Sequence, residues 1–459
     1  MPTPPSDHRP IHFVGIAGAG MSALAELFIR RGHAVTGCDT NPAGAGDLSR
    51  LGVAVANGHD PSHVDGSREI VVTSAVPRDH PELMRARELG IPVTRRAEAL
   101  ARAVSGGELV GIAGTHGKTT TTVMTTDALA AAGLEPTGVA GGRVGAWNGN
   151  LSEGSERLFV VEADEYDRSF LALAPTVAVV TNMEADHLDI YPGGIDEIRE
   201  AFAQFVRGAK TIVLCADDSG ACTLPTPSSA EIIRYGTSSP EARLSASKIV
   251  SADGGTQCAV SYDGKPIGEM TLGVPGMHNV RNALAAVASG IALGVTLESM
   301  RAGLAAFTGV ERRFQRLGEA AGVTVIDDYA HHPTEILATL EAARAAFPKR
   351  RIVAAFQPHL YSRTRDFQVE FGDALGLADV VYLCDLYPAR ETLIEGVSSA
   401  LIAYVMARAG KPPAWQGPRS AAAAALSDRV AQGDVVITIG AGDITRTGPE
   451  LLALLGASA

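Results

Sequence analysis

Gly114-Thr115-His116-Gly117-Lys118-Thr119-Thr120 follows an apolar run, Leu109 to Ala113, and leads into an Ala-rich stretch that ends at Gly133. A strand, a glycine-rich turn and then Lys-Thr opening a helix is the sequence form of a phosphate-binding loop. Backbone N–H groups at the helix start aim at phosphate oxygens, the lysine adds a mobile positive charge, and a threonine hydroxyl reaches a magnesium ion. The usual spacing, Gly-x-x-x-x-Gly-Lys-Ser/Thr, puts its first glycine where this chain has Ile112. Glycines stand instead at Gly111 and Gly114, so the loop is a variant. It predicts an ATP-using enzyme built on a parallel α/β sheet.

Outward from this loop, 459 residues are too many for a single core and suggest roughly three domains. Toward the N-terminus, a strand from Ile11 to Ile16 meets a glycine turn, a helical stretch from Ser22 to Arg31, and a second strand, Ala34 to Cys38, ending at Asp39. Toward the C-terminus, apolar runs at Val323 to Ile326, Ile352 to Phe356, Val380 to Leu383 and Val435 to Ile439 alternate with helical stretches. The expected architecture is α/β with a Rossmann-like N-terminal domain at 1–106. A central P-loop ATPase-like domain follows at 107–308, and a C-terminal Rossmann-like α/β domain at 309–459. Within the middle segment, Pro225 to Gly268 is Ser/Gly/Pro-rich and reads as a small β excursion or irregular insert.

The N-terminal turn, Gly18-Ala19-Gly20-Met21-Ser22-Ala23, matches Gly-x-Gly-x-x-Ala after a strand, with Asp39 about twenty residues on. Alone it would suit a nicotinamide dehydrogenase. Beside an ATP loop it equally suits another pyrophosphate-linked nucleotide, including a nucleotide-sugar, or tight helix–strand packing. Glu162 ends the strand Phe159-Val160-Val161, where a metal-binding acid belongs in a phosphoryl-transfer site. Asp164, Glu165 and Asp167 crowd the same turn, and spacing does not choose among them. Thr181 to His187 closes another strand with polar groups; His187 is a metal-ligand candidate, although magnesium prefers oxygen. Asn279 and Asn282 open a helix, either pairing with a purine edge or serving as helix caps. Asp327-Asp328-Tyr329-Ala330-His331-His332-Pro333-Thr334 and Gln357 to Arg365 both follow strands, where open sheets bind ligands.

Composition narrows the class. A formal net charge of −12 offers no basic footprint for a nucleic acid. Five scattered cysteines, odd in number, form no Cys-x-x-Cys pair, which argues against both a disulfide framework and a zinc site and suits a reducing cytosol. Met1 to Pro10 is polar and Pro-rich, unlike a signal peptide, and no apolar run reaches the ~20 residues of a membrane span. The expectation is a soluble cytoplasmic enzyme with no nucleic-acid or membrane partner, monomer or homodimer.

Taken together, these motifs resemble the Mur ligases of bacterial cell-wall synthesis, and most closely their alanine-adding branch. The residues that carry the resemblance are Gly15 to Ser22, Gly114 to Thr120, Glu162 to Glu165, Asn182 to His187, His278 to Asn282, Glu311 to Phe314 and Asp327 to Thr334, over nearly the full length. It implies ATP-dependent ligation of L-alanine to the lactyl carboxylate of UDP-N-acetylmuramate through an acyl phosphate. The products would be UDP-N-acetylmuramoyl-L-alanine, ADP and phosphate, in peptidoglycan precursor synthesis. The implied cofactors are ATP and Mg2+, with Mn2+ as an alternative ion.

By the same resemblance, Gly114, Thr115, His116, Gly117, Lys118, Thr119 and Thr120 hold the ATP phosphates. Thr119 and Glu162 bind one metal and His187 a second. Asn279 and Asn282 touch adenine, Asp328 the ribose and Arg313 the phosphates. Tyr329, His331 and Arg363 face the reacting centre and the amino acid, which makes Lys118, Glu162, His187, His331 and Arg363 the implied catalytic set. Gly18, Ala19, Gly20, Met21 and Ser22 take the UDP moiety, with Asp39, Thr73 and Ser74 nearby. Two features bear on the branch. No lysine lies between His187 and Lys210, consistent with alanine-adding enzymes, which lack the carbamylated lysine of several relatives. Leu360 stands where many alanine-adding enzymes have arginine, which shifts the amino-acid carboxylate contact toward Arg363 or Arg365. The nearest rival is a murein-peptide ligase; a nicotinamide oxidoreductase and a non-catalytic nucleotide-gated binder are the others.

Overall fold

Strands rich in Val and Ile with little alternation are expected to lie buried in parallel sheets between helices. A computed structural model, describing residues 7–188, 190–252, 255–389 and 391–457, contains three such sheets. The first six residues of the Pro-rich stretch Met1 to Pro10 lie outside the described residues.

The first sheet is wholly parallel, in the spatial order Ala54–Asn57, Val35–Asp39, Ile11–Val14, Glu69–Val72, Val93–Arg95. Chain order reverses at the central strand Ile11–Val14, and the crevice beyond its carboxyl end is the natural ligand position. The helix Ala19–Arg30 starts there, buries Met21, Leu24, Leu27 and Phe28, and packs on strands Thr137–Val144 and Gly149–Ser152 of the second sheet. The ion pair of Arg143 with Asp47, at 3.1 Å, ties the same two sheets.

Ten strands form the second sheet. Its central strand, Glu108–Ala113, lies between Val177–Val180 and Leu158–Glu162, and all three are parallel. Of the two readings of Pro225 to Gly268, the β excursion is borne out and the irregular insert is not. Strands Glu231–Gly236, Leu244–Ala252, Gly255–Tyr262 and Lys265–Leu272 extend one edge of this sheet. Their apolar signal is weak because the outermost strand exposes nearly its whole length. The hairpin Thr137–Val144/Gly149–Ser152 at the other end was also unexpected, since its glycines hide the strand pattern.

The helix Lys118–Ala131 contains four consecutive threonines, Thr119 to Thr122, which are poor helix formers. Burial on all sides compensates. The hydroxyls of Thr125 and Thr126 donate to the carbonyls of Thr121 and Thr122 at 2.7 and 2.8 Å, so neither polar group is left unsatisfied in the core.

The third sheet runs Gln315–Ala320, Val323–Asp328, Val435–Ile439, Ile352–Phe356, Val380–Cys384, Trp415–Gly417. Only its first pairing is antiparallel. Ile326, Phe356, Ile437 and Ile439 form a core on one face with Ile336, Leu340 and Phe371, and Val323, Val325 and Val436 one on the other with Leu451.

Contacts divide the chain into two compact units. One contains the first sheet and the phosphate loop and takes in Gln257–Leu272 and Val280–Phe307. The other comprises Val250–Thr256, Gly273–Asn279 and the chain from Thr308 onward. Among the described residues no helix is long and apolar enough to cross a membrane.

Candidate active site

The phosphate loop leaves the carboxyl end of the central strand of the second sheet, and the strands on either side deliver its neighbours. Gly114 has φ +141°, and a Cβ there would stand 2.0 Å from Thr181 Oγ1. Gly117 has φ +79°, and a Cβ would stand 2.6 Å from Asn282 Oδ1. Both positions therefore need glycine, for backbone and for space. The loop is held from the neighbouring strand end: His116 N–H donates to Asn182 Oδ1 at 2.7 Å, Asn182 Nδ2 and Thr181 Oγ1 donate to His116 O, and Glu184 N–H donates to Thr115 Oγ1. Gly117 caps the helix with no side-chain hydrogen bond, so the helix start presents N–H groups and positive dipole toward the loop.

Lys118 is the centre of charge. Its ammonium donates to Glu165 Oε2 and Oε1 at 2.7 and 2.9 Å and to Gly114 O at 2.6 Å. Burial alone would depress it, but Glu165, Asp164 and Glu162 outweigh burial and hold it up to about 12, fully charged. Burial pushes Glu165 up to about 7 despite the lysine. Glu162, half-buried at its strand end, accepts from Thr119 Oγ1 at 3.1 Å and from Gly141 N–H at 2.5 Å; burial raises it as well. His187 Nε2 lies 3.9 Å from Glu165 Oε1 and 3.8 Å from Asp186 Oδ2, its ring edge-on to Tyr166. The structure thus gathers Lys118, Thr119, Glu162 and His187 with Glu165, to which the family resemblance assigned no role. Thr119 and Glu162 offer the hard oxygen donors that suit Mg2+.

Asn282 lies beneath Gly117, whereas Asn279, three residues earlier on the helix Met277–Ala292, donates its amide to Pro275 O at 2.7 Å. In the first sheet, Gly18 caps its helix without a side-chain hydrogen bond, and Gly18 to Ser22, Asp39, Thr73 and Ser74 gather at three adjacent strand ends. Asp39 accepts from the N–H groups of Ala17 and Asn41 at 3.0 and 2.8 Å, so it braces the turn. Arg96, which nothing in its local sequence marks, brings a guanidinium nitrogen against Gly20 at the same helix start.

The second constellation sits at strand ends of the third sheet. Asp328 accepts from Phe314 and Ala330 N–H groups at 2.8 and 2.7 Å; burial pushes its carboxyl up to about 6 although Arg313 opposes that. Arg312 and Arg313 both lie over the Tyr329 ring, at 4.7 and 5.2 Å, and Arg313 also donates to Glu335 at 3.3 Å. His331 Nδ1 is 3.0 Å from Tyr329 O and 3.2 Å from Glu335 Oε2, two acceptors that favour the proton on Nδ1 and the lone pair on Nε2. Its ring meets His359 at 5.9 Å. Arg363 is buried on the helix Tyr361–Asp366, just past Leu360, which is itself buried at φ +71°.

Comparison with known proteins covers nearly the whole chain. Residues 10–107 match the Mur ligase family catalytic domain, 112–290 the Mur ligase middle domain, and 312–442 the Mur ligase glutamate ligase domain. The chain is 42% identical to a UDP-N-acetylmuramate–L-alanine ligase of Geobacter sulfurreducens over 97% of each protein. It is 43% identical to one of Streptomyces avermitilis over 98% of each. A crystal structure of a Thermotoga maritima UDP-N-acetylmuramate–alanine ligase superposes with TM-score 0.85 at 29% identity, covering 98% of this chain and 100% of that one. A murein peptide ligase of Psychrobacter arcticus superposes with 0.71 at 26% identity, covering 98% and 99%. The chain belongs to the Mur ligase family.

Proposed function

We propose that this chain joins L-alanine to the lactyl carboxylate of UDP-N-acetylmuramate with hydrolysis of ATP to ADP and phosphate. The observation that carries the reading is the phosphate loop with its charged lysine, set in a chain 42–43% identical, nearly end to end, to alanine ligases. ATP with Mg2+ supplies the phosphoryl group that makes the carboxylate an acyl phosphate, from which the amine of L-alanine displaces phosphate to leave an amide.

The chain's own residues perform the electrostatic work. A carboxylate and a triphosphate repel each other, so cations must converge where they meet. Lys118 provides one, and the uncapped helix start behind Gly117 adds N–H donors. Thr119 and Glu162 would hold the metal, with His187 beside it. The uncapped helix start at Gly18 takes the pyrophosphate of the UDP-sugar. His331, with Nδ1 held by Tyr329 O, presents Nε2 to take a proton from the attacking amine. Arg363 is the cation for the amino-acid carboxylate, since Leu360 cannot supply one. All five cysteines are free thiols, which suits the cytoplasm.

A mass-spectrometric assay with UDP-N-acetylmuramate, ATP, Mg2+ and L-alanine should show the nucleotide-sugar gaining one alanyl residue with one ADP. A reduced or oxidised nicotinamide product, or ADP formed without a new amide, would overturn the reading.

A further inference from the structure

A second group of metal-ligating side chains lies in the first sheet, in the domain that carries the UDP-sugar turn and away from the phosphate loop. His12 on strand Ile11–Val14 and Cys38 on strand Val35–Asp39 share one face of the sheet. His63, from the turn Pro61–Val64, and Glu82, from the helix Pro81–Glu88, cover that face. One donor atom from each lies within 4.8 Å of the others. The geometry points to a structural zinc site formed by His12, Cys38, His63 and Glu82.

Four observations carry this. Glu82 is fully buried, and among the described residues no lysine or arginine pairs with it; its partners are Cys38, His59, His63 and His80. A buried carboxylate without a cation is costly, and a divalent ion removes that cost. His12 places Nδ1 3.0 Å from Thr36 Oγ1, while its buried Nε2 has no hydrogen-bond partner among the described residues. A ring oriented through one nitrogen and presenting the other inward is the usual arrangement of a ligating histidine.

The same few atoms are also shared among several partners. The single thiol hydrogen of Cys38 faces Glu82 Oε1 at 3.1 Å, Oε2 at 3.2 Å and His59 Nδ1 at 3.2 Å. His63 Nδ1 faces both Glu82 Oε1 at 2.8 Å, which asks for a proton, and Asp60 N–H at 3.2 Å, which asks for a lone pair. Finally, the size is right. Donor separations from 2.8 Å to at most 4.8 Å bracket the roughly 3.3–3.8 Å edges of a tetrahedron with Zn–N and Zn–O near 2.0 Å and Zn–S near 2.3 Å.

Thiolate and imidazole donors select zinc over magnesium, so this site does not compete for the ion used with ATP. Four protein ligands leave no open position, which makes the role structural. Val14, Val64, Ile70, Val72, Leu83 and Ala86 wall the group in, while His59 and His80, partly exposed at its mouth, give an entry path. Zinc binding releases the Cys38 thiol proton to solvent and ties two strands, a turn and a helix together one residue before Asp39.

The test uses the full chain, stripped with a chelator and reloaded in excess Mg2+. The expected result is about one tightly held zinc per chain, with a raised melting temperature. Cobalt in its place should give a tetrahedral spectrum with a thiolate-to-cobalt absorption that disappears in Cys38→Ser and persists in Cys222→Ser. His63→Ala, at the partly exposed rim, should weaken zinc binding by about tenfold or more. It serves as the deciding variant if Cys38→Ser does not fold. Zinc well below one per chain, a thiolate band unchanged in Cys38→Ser, or unchanged affinity in His63→Ala would overturn the site.

Discussion

Glu165 holds the ammonium of Lys118 with both carboxylate oxygens, at 2.7 and 2.9 Å, in a pair that is almost wholly buried. The loop lysine is therefore charged and fixed in place by Glu165, and a triphosphate bound at the proposed site would have to replace or share that carboxylate.

Removing one member of a buried pair leaves the other charge uncompensated, at a cost of about 3–5 kcal/mol. Glu165→Ala should accordingly lower the thermal midpoint of the ligand-free protein, and a non-hydrolysable ATP analogue should recover most of the loss. Equal loss with and without the analogue would mean that phosphate does not take the place of Glu165.

Lys118→Ala should reduce ADP formation by about 10²–10³-fold or more, as expected for the loss of a charge aimed at the transferring group. Binding of UDP-N-acetylmuramate, measured by calorimetry, should be almost unchanged, because the Gly18 turn proposed to hold it lies in another sheet.

Glu162→Gln should raise the Mg2+ concentration needed for half-maximal activity by about tenfold or more, whereas Asp164→Asn should change it less. A larger effect from Asp164→Asn would reassign the metal ligand.

Gly114→Ala places a methyl 2.0 Å from Thr181 Oγ1 on a backbone at φ +141°. Strain of about 1–3 kcal/mol should appear as weakened ATP binding, with UDP-sugar affinity retained.

Asp328 should set an acid limb. Its carboxyl is raised to about 6, so its ionised form, the acceptor suited to a ribose hydroxyl, is lost as pH falls through that value. KM for ATP should rise below about pH 6. The stability contribution has the opposite sign: a raised folded-state value favours the fold below the ordinary carboxylate range, and that contribution is lost as pH rises through about 6. Asp328→Asn should flatten the rise in KM.

The phosphate loop and the Gly18 turn were legible because each is a local motif: one strand, one turn and one helix start supply all the geometry. Glu165 was not. Four acids share one short stretch, and Asp167 and Arg168 adopt left-handed backbone at φ 52° and 61°, so sequence spacing cannot say which carboxylate turns toward Lys118. The β character of Glu231 to Leu272 was one of two readings of that segment, but its continuity with the central sheet was not legible, since solvent on one side removes the apolar run by which buried strands are recognised. The His12, Cys38, His63 and Glu82 group went unread because its members come from four elements and meet only when the sheet and its covering helix form.

The most direct measurement is phosphate release with UDP-N-acetylmuramate, ATP and Mg2+, offering L-alanine, glycine, L-serine or the cell-wall tripeptide as the amine. The account predicts the highest kcat/KM with L-alanine and little turnover with the tripeptide. Preferential turnover of the tripeptide, or phosphate release indifferent to the amine, would contradict it.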